Sequence, residues 1–420
     1  MRKVLHIDVN SYFATMEQQA YPNLRGKPVG VAGKGRGERT VVAGASIEAK
    51  KLGVKSGMST WEAKRICPNI ILIPADYDRY IFSSKRIFSL LERLSPTVDV
   101  FSIDEAFADL GTDISWEAAS DLARQFKRLL SLHLGSWVRC SIGISYGKTL
   151  AKLASELQKP DGLTVIRPED FPRLAQNTRI EELCGIGWRL GPRLNQMGVF
   201  TIAELGMMPK AILTEAFGEF TGTWMHNIGN GLDANVLRSF RSLPQEKSVG
   251  HSYTLPRDVY ILSEAKKVLL LLSERVGVRM RRKGLIGRSV SVYLHFDDRS
   301  GWGQRRSQKE YIQDGHEIYQ AAERLLDQLG NSMRPIRLVA VTAGDLVQQI
   351  QVTRPLLAED QRHDELVAAI DKVNAKYGEF TVFRGELATI KKKIHNLPDG
   401  RNKRIYLPQI TEVNPFTKRV

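Results

Sequence analysis

The stretch FSIDEAFADL, residues 101–110, sets two acids, Asp104 and Glu105, side by side inside an otherwise strand-like apolar run. Neighbouring side chains of a strand point to opposite faces, so one of two adjacent carboxylates would enter the core at high cost. One escape is a turn beside the pair. With VDVFSI before it and AFADL after it, the expected structure is a β-hairpin whose turn lets both acids look into one site. A solvated turn is the plain alternative, because acids are common in turns.

The run KVLHIDV near the N-terminus ends on Asp8, and SYFATMEQQAY after it reads as a helix. Two β-like runs follow, KPVGVAG and RTVVAGA, then a short helix from Ser46 to Gly53 and a second opened by the capping box Ser59-Thr-Trp-Glu62 and ended at Pro68. Amphipathic periods predict helices over 76–94 and 116–134, alternation at Val138, Cys140, Ile142 and Ile144 predicts a strand, and a helix over 148–158 precedes the strand-like LTVI. This alternation implies an α/β sheet with antiparallel members, carrying Asp8 and the Asp104-Glu105 pair on central strands. Residues 168–234 read as short helices with glycine stops, and 235–248 as a linker. A second α/β unit follows, with helices expected over 262–282, 314–329 and 360–377 and strands in SYTLPRDV, RSVSVYLHFDD, RRSQKEYI and RPIRLVAVTAGDL.

At 420 residues the chain exceeds one ordinary core, so several domains are expected. No apolar run approaches a membrane span and MRKVLHIDVN turns polar too soon for a signal peptide, so the expected location is the cytoplasm, with no membrane partner. Cys67, Cys140 and Cys184 lie far apart without metal-type spacing and read as reduced packing residues. The net charge of +15 is uneven: residues 241–310 hold 15 Lys and Arg against 7 Asp and Glu, and residues 384–420 hold 9 against 3. Such an excess on a soluble protein usually serves a polyanion, most often nucleic acid.

Asp8, Asp104 and Glu105 bring three hard oxygen donors from two strands, which suits magnesium and argues against zinc, since no His or Cys stands at ligand spacing. Two such ions, roughly 3.5–4 Å apart, clamp the attacking and leaving oxygens of a phosphoryl transfer. A triphosphate needs opposing positive charge. KTLAKLASELQKPDG supplies Lys148, Lys152 and Lys159, the first two one helical turn apart, and Lys50 adds another cation on a short helix. Cys184-Gly185-Ile186-Gly187 between two short helices is similar to a helix-hairpin-helix, whose backbone amides contact DNA phosphate without reading sequence. An ordinary helix-helix turn is the alternative.

Taken together, DVNSYFA (8–14), LRGKPVGV (24–31), EAKKLGVKSGM (48–58), LSPTVDVFSIDEAFADL (94–110), GISYGKTLAKLAS (143–155), KPDG (159–162), GIG (185–187) and KSVGHSYTLP (247–256) resemble, in order and over nearly the whole chain, a Y-family translesion DNA polymerase, with wording closest to the bacterial UmuC/DinB-type branch. The resemblance implies a multidomain α/β right hand: a ferredoxin-like palm (1–15 and 75–166), small fingers (16–74), a helical thumb (167–234) and, after the linker, an α/β little finger with a C-terminal helix (249–395) and a basic tail (396–420). It puts Asp8, Asp104, Glu105 and the Val9 carbonyl on two magnesium ions, with manganese as a substitute. It puts Tyr12, Phe13, Lys50 and Lys159 on the incoming deoxynucleoside triphosphate, Phe13 as the steric gate. Lys148, Lys152, Gly185, Gly187, Lys247 and Ser248 fall on contacts to primer-template DNA.

Two departures accompany the resemblance. Ile47 and Lys50 stand where many relatives carry Tyr and Arg, which removes a hydroxyl contact and replaces a phosphate fork by a point charge. The sliding-clamp segment would be Gln349-Ile-Gln-Val-Thr353, which lacks an aromatic anchor. The implied function is low-fidelity, low-processivity extension of primers past lesions, alongside accessory repair proteins. The alternatives are a catalytically inactive DNA-binding scaffold and a palm-fold nucleotide cyclase. Intact acids argue against the scaffold, and a thumb hairpin with a basic C-terminal domain argues against the cyclase.

Overall fold

The computed structural model describes residues 1–33, 40–234, 236–240, 246–330, 334–352 and 358–390. The chain divides into two compact units, one closing before residue 244 and the other opening there. The first unit begins with β1 (Lys3–Val9) and α1 (Tyr12–Ala20). Then β2 (Val29–Ala32), β3 (Val42–Ala45), the short helices α2 (Ile47–Lys51) and α3 (Thr60–Ile66), and β4 (Ile71–Pro74) build a small sheet ordered β3-β2-β4. Helix α4 (Tyr77–Leu91), β5 (Val98–Val100), β6 (Glu105–Gly111), α5 (Trp116–Leu134), β7 (Cys140–Ser145), α6 (Lys148–Leu157) and β8 (Leu163–Val165) complete a five-stranded sheet ordered β5-β6-β1-β7-β8.

β1 lies at the centre, antiparallel to both β6 and β7. One face of this sheet, with Leu5, Ile7, Val9, Ala106 and Ala108, packs on Ile87 and Leu91 of α4 and on Ala123, Phe126 and Leu130 of α5. The other face takes α6. A Cβ on Gly143 would lie 2.0 Å from the Ala151 carbonyl oxygen, so this glycine lets the α6 backbone approach β7 directly. That contact explains a departure from the expected pattern: β7 alternates in sequence, yet every one of its residues is buried.

Beyond β8, α7 (Phe171–Asn177), α8 (Leu190–Gln196), α9 (Ile202–Met207), α10 (Lys210–Phe217) and α11 (Glu219–Gly229) form a helical cluster. Its core joins Ile186, Leu194, Leu205 and Met225 to Leu150 and Leu153 of α6.

The second unit contains β9 (Ser248–Val259), α12 (Leu262–Arg282), β10 (Leu285–Phe296), β11 (Gly301–Ile312), α13 (Gly315–Leu326), β12 (Ile336–Gly344), β13 (Val347–Gln348) and α14 (Ala358–Tyr377). Its antiparallel sheet runs β11-β10-β12-β9, with β13 pairing with the start of β10. Val290, Val292, Leu294, Val339 and Val341 of the inner face pack on Leu269, Leu272 and Val276 of α12 and Ile318 and Leu325 of α13. Arg281 of α12 holds Asp371 of α14 through two bonds of 2.7 and 2.9 Å.

The bounds of α5 and α12 coincide with the sequence periods, and the Ser59–Glu62 capping box is present. Helix α4 stops at Leu91, and Arg93 and Leu94 continue as turns instead of helix. Two strands escaped the periods: β4, which exists by parallel pairing with β2, and the two-residue β13. Thr353, the stretch 241–245 of the linker and the tail 396–420 lie outside the described residues. No helix among the described residues is long and apolar enough to cross a membrane.

Candidate active site

Asp8 and Glu105 are direct cross-strand partners in the antiparallel pairing of β1 with β6, so their side chains share one face of the sheet. The hairpin expected from the adjacent acids is present. Phe101 and Ser102 both donate backbone N–H to the Glu105 carbonyl (3.0 and 3.1 Å), Asp104 lies in the turn, and Glu105 opens β6. The Asp104 carbonyl accepts from the Val9 N–H at 3.1 Å, which ties the turn to the end of β1.

Helix α6 lays its cations on the acid-bearing face. Lys152 Nζ is 2.7 Å from Glu105 Oε2, and Lys148 Nζ is 2.7 Å from Asp99 Oδ2. Just beyond the helix, Lys159 Nζ bridges Asp8 Oδ2 at 2.8 Å and Glu156 Oε1 at 2.6 Å. Carboxylate oxygens of Asp8, Glu105 and Glu156 lie within 4.8 Å of one another and make a group able to hold a metal ion. Asp104 stays outside that group, its Oδ1 accepting from Ser102 Oγ at 2.5 Å. Glu156 escaped the reading of the sequence. It is one helical turn after Lys152 and three residues before Lys159, so projecting α6 as a helix exposes it.

Burial pushes the Asp8 carboxyl up to about 6; Lys159 opposes the rise and Glu105 adds to it. Burial also raises Asp104, against the Ser102 bond and with a contribution from Asp8. For Lys159 burial works downward, yet Asp8 and Glu156 outweigh it and hold the ammonium above its ordinary value. His6, fully buried beneath this network, is held well below its ordinary value by burial and then by Lys152, Lys159 and Lys148, so it is neutral. Ser155 Oγ donates to the Lys152 carbonyl (2.7 Å) and therefore accepts from His6 Nδ1–H at 2.8 Å. His6 Nε2 is then the unprotonated nitrogen, 4.0 Å from Glu105 Oε2 and without a hydrogen-bond partner among the described residues.

The remaining sequence candidates are dispersed around this centre or away from it. Val9 is buried, and Tyr12 is buried with its hydroxyl donating to the Tyr80 carbonyl at 2.6 Å. Phe13 is half-buried, its ring 4.8 Å from that of Tyr80; a Cβ on Gly44 would come within 3.1 Å of the Phe13 ring. Lys50 is exposed on α2, whose first turn is capped by Ser46 accepting from the Ala49 N–H. Gly185 and Gly187 are exposed on either side of buried Ile186, and a cleft of about 640 Å³ runs between this turn and Lys152 and Glu156. Lys247 and Ser248 belong to the second unit, exposed at the start of β9. In the clamp segment Ile350 is 94% exposed. Cys67 and Cys140 are buried and Cys184 half-buried, all as free thiols.

Comparison with known proteins agrees with this layout. Residues 7–156 match the impB/mucB/samB family, residues 246–355 its C-terminal domain, and residues 181–233 the thumb domain described for DNA polymerase-iota. A protein named DNA polymerase IV from Moorella thermoacetica is 37% identical over 383 residues, 91% of this chain and 95% of the relative. Another of that name from Pelotomaculum thermopropionicum is 36% identical over 382 residues, 91% of this chain and 94% of the relative. Among solved structures, a Y-family DNA polymerase chimera, Dbh-Dpo4(243-245)-Dbh, superposes with a TM-score of 0.74 at 26% identity, covering 82% of this chain and 99% of that one. An insertion ternary complex of Dbh DNA polymerase gives a TM-score of 0.55 at 25% identity, with the same coverage. The chain belongs to the impB/mucB/samB family of Y-family DNA polymerases.

Proposed function

We propose that this chain extends primers on a DNA template past damaged bases by two-metal nucleotidyl transfer from deoxynucleoside triphosphates, with low fidelity and low processivity. The observation that carries the chemistry is the direct opposition of Asp8 and Glu105 across β1 and β6, with Glu156 and Lys159 on the same face. Oxygen-only donors, with no His or Cys in the group, fit a hard divalent cation, and magnesium is the ion assigned, with manganese as its substitute. Asp8, Asp104, Glu105 and the Val9 carbonyl would hold two ions, which when bound lower the pKa of the primer hydroxyl and neutralise the leaving pyrophosphate.

The protein's own part is positional. Lys152 holds Glu105 in place, while Lys159 and Lys50 supply positive charge for the triphosphate. Tyr12 and Phe13 are assigned to the nucleotide sugar, Phe13 as the gate against a 2′-hydroxyl. Residues 1–15 and 75–166 act as palm, 16–74 as fingers, 167–234 as thumb and, after the linker 235–248, 249–395 as little finger. Helices α2 and α3 have only five and seven residues, which leaves little protein to close over a nascent base pair and supports weak shape checking. Gly185, Gly187, Lys247 and Ser248 are assigned to the DNA backbone, whereas Lys148 and Lys152 are engaged by Asp99 and Glu105. Exposed Ile350 supports a clamp contact through the degenerate Gln349–Thr353 segment, and a cytoplasmic setting with accessory repair proteins completes the reading.

Primer extension with magnesium and all four deoxynucleotides, opposite an intact and an abasic template, tests the proposal. Extension on both templates supports it, and no extension on either removes it.

A further inference from the structure

Helix α6 carries most of what surrounds the acids, yet it begins without a cap of its own. Its N-cap is Gly147, which offers no side-chain bond. The first-turn amides of a helix need a partner, and a carboxylate is the best one because it also meets the positive end of the helix dipole. Asp233, which leaves the helical cluster just after α11, supplies it. Asp233 Oδ2 accepts from the Leu150 N–H at 3.0 Å, and Oδ1 accepts from the Thr149 hydroxyl at 3.2 Å. A Cβ on Gly147 would lie 2.3 Å from the Asp233 Cβ, so the absent side chain at 147 is what makes room for the distant one.

The same segment is fastened again further on. Leu237 is 5% exposed and packs with Ala151, Val4 and Phe107. The Arg238 N–H donates at 3.3 Å to Asp99 Oδ2, the oxygen that also holds Lys148. The chain leaving the helical cluster therefore grips the first turn of α6, and the later turns deliver Lys152 to Glu105, Ser155 to His6 and Glu156 to Lys159.

We propose that Asp233 is a positioning residue for the transfer reaction. Borrowed across the chain as the cap of α6, it fixes the axial position of that helix and thereby the placement of Lys152 and Lys159 against the acids. The inference rests on the polymerase reading and adds a residue that touches neither substrate nor acids.

The test uses the full chain with primer-template. Asp233→Gly should lower the single-turnover insertion rate at saturating nucleotide by about tenfold, since small misplacements are costly in an in-line reaction. Primer-template affinity and burst amplitude should stay within about twofold, whereas a merely destabilised fold would lose amplitude instead of rate. Asp233→Asn, which keeps an acceptor without the charge, should fall between. The exchange Gly147→Asp with Asp233→Gly returns a carboxylate to the same helix end from the extended backbone of residue 147. It should restore both slow hydrogen exchange over Lys148–Leu157 and the insertion rate.

An unchanged rate in Asp233→Gly overturns the proposal, as does a loss of amplitude without a loss of rate. So does an exchange variant that regains α6 protection while its rate stays low. A wild-type chain that extends no primer would instead refute the polymerase reading, and α6 hydrogen exchange would still report the cap.

Discussion

The sheets of the two units are built alike, antiparallel at their centres with helices packed against them, yet they treat their second faces in opposite ways. In the first unit α6 covers the face that bears Asp8 and Glu105, so β7 is buried throughout and Asp8 is 6% exposed. In the second unit α12 and α13 cover one face, and the other carries Ser291, Tyr293, Arg305 and Thr342, with Tyr293 45% exposed. Covering a sheet on both sides raises a carboxyl and binds it to lysines. Leaving one side open keeps charges in water, where they suit a polyanion. Under the proposed function, the first arrangement would serve chemistry and the second would serve grip.

That contrast is breakable. Its largest expected consequence is for the acids: Asp8→Ala or Glu105→Ala should lower insertion by at least ~10³-fold while primer-template binding stays within about twofold. Near-normal extension by either variant would remove the acids from the reaction. Conversely, Arg305→Glu combined with Lys309→Glu on β11 should weaken primer-template binding by roughly tenfold or more and flatten its salt dependence by about two units of slope. The rate from the bound complex should hold; a slowed rate at saturating DNA would erase the division of labour.

Phe13→Ala should raise ribonucleotide use relative to deoxynucleotide use by roughly tenfold, since the ring can neither accommodate nor hydrogen-bond a 2′-hydroxyl. An unchanged ratio with lower overall insertion would make Phe13 a packing residue against Gly44 and Tyr80.

Stability should respond to pH with opposite sign in the two sheets. Asp8 is raised from 3.8 to about 6, so the folded state binds its proton more tightly than the unfolded chain. The stability this supplies is full below about pH 4 and lost as the pH rises through about 6. In a chelating buffer Asp8→Asn should therefore gain roughly 2 kcal/mol over the parent between pH 4 and pH 8. On the open sheet the bond from Arg305 holds the carboxyl of Asp345 below its ordinary value. Its stabilisation is present above that ordinary value and lost on acidification, so Asp345→Asn should be slightly less stable at pH 8 and indistinguishable from the parent in acid. Melting curves of both variants across this range check the signs. The smallest effect belongs to Lys50→Arg, where a planar fork in place of a point charge should lower the apparent KM for nucleotide by about twofold. A clear rise would show a pocket fitted to lysine.

The second-unit sheet was legible where a strand with one open face alternates, as RSVSVYLHF does with Val290, Val292 and Leu294 at a period of two, whereas β9 and β11 each begin four residues before the runs SYTLPRDV and RRSQKEYI expected for them. Near the site, legibility followed the same physics. The hairpin at Asp104 and Glu105 could be inferred because adjacent acids forbid a continuous buried strand. The strand β4 could not, because Ile71–Pro74 has no alternation and is a strand only by lying beside β2. Lys148 and Lys152 were legible as one helix face, but their partners Asp99 and Glu105 lie more than forty residues away in sequence and became visible only with the packing of α6.

The sequence by itself determined the acids, the bend between them, the helix that carries the lysines and the charge surplus of the second unit. Each of these follows from local rules of period, turn chemistry and composition. Tertiary structure decided which carboxylates meet. Register across β1 and β6 joined Asp8 to Glu105, the packing of α6 on the sheet brought Glu156 beside them, and a chain segment from beyond α11 supplied Asp233 to a helix whose own sequence offers only Gly147. Such pairings depend on the relative placement of elements distant in the chain, and that placement is fixed by how their buried faces pack together.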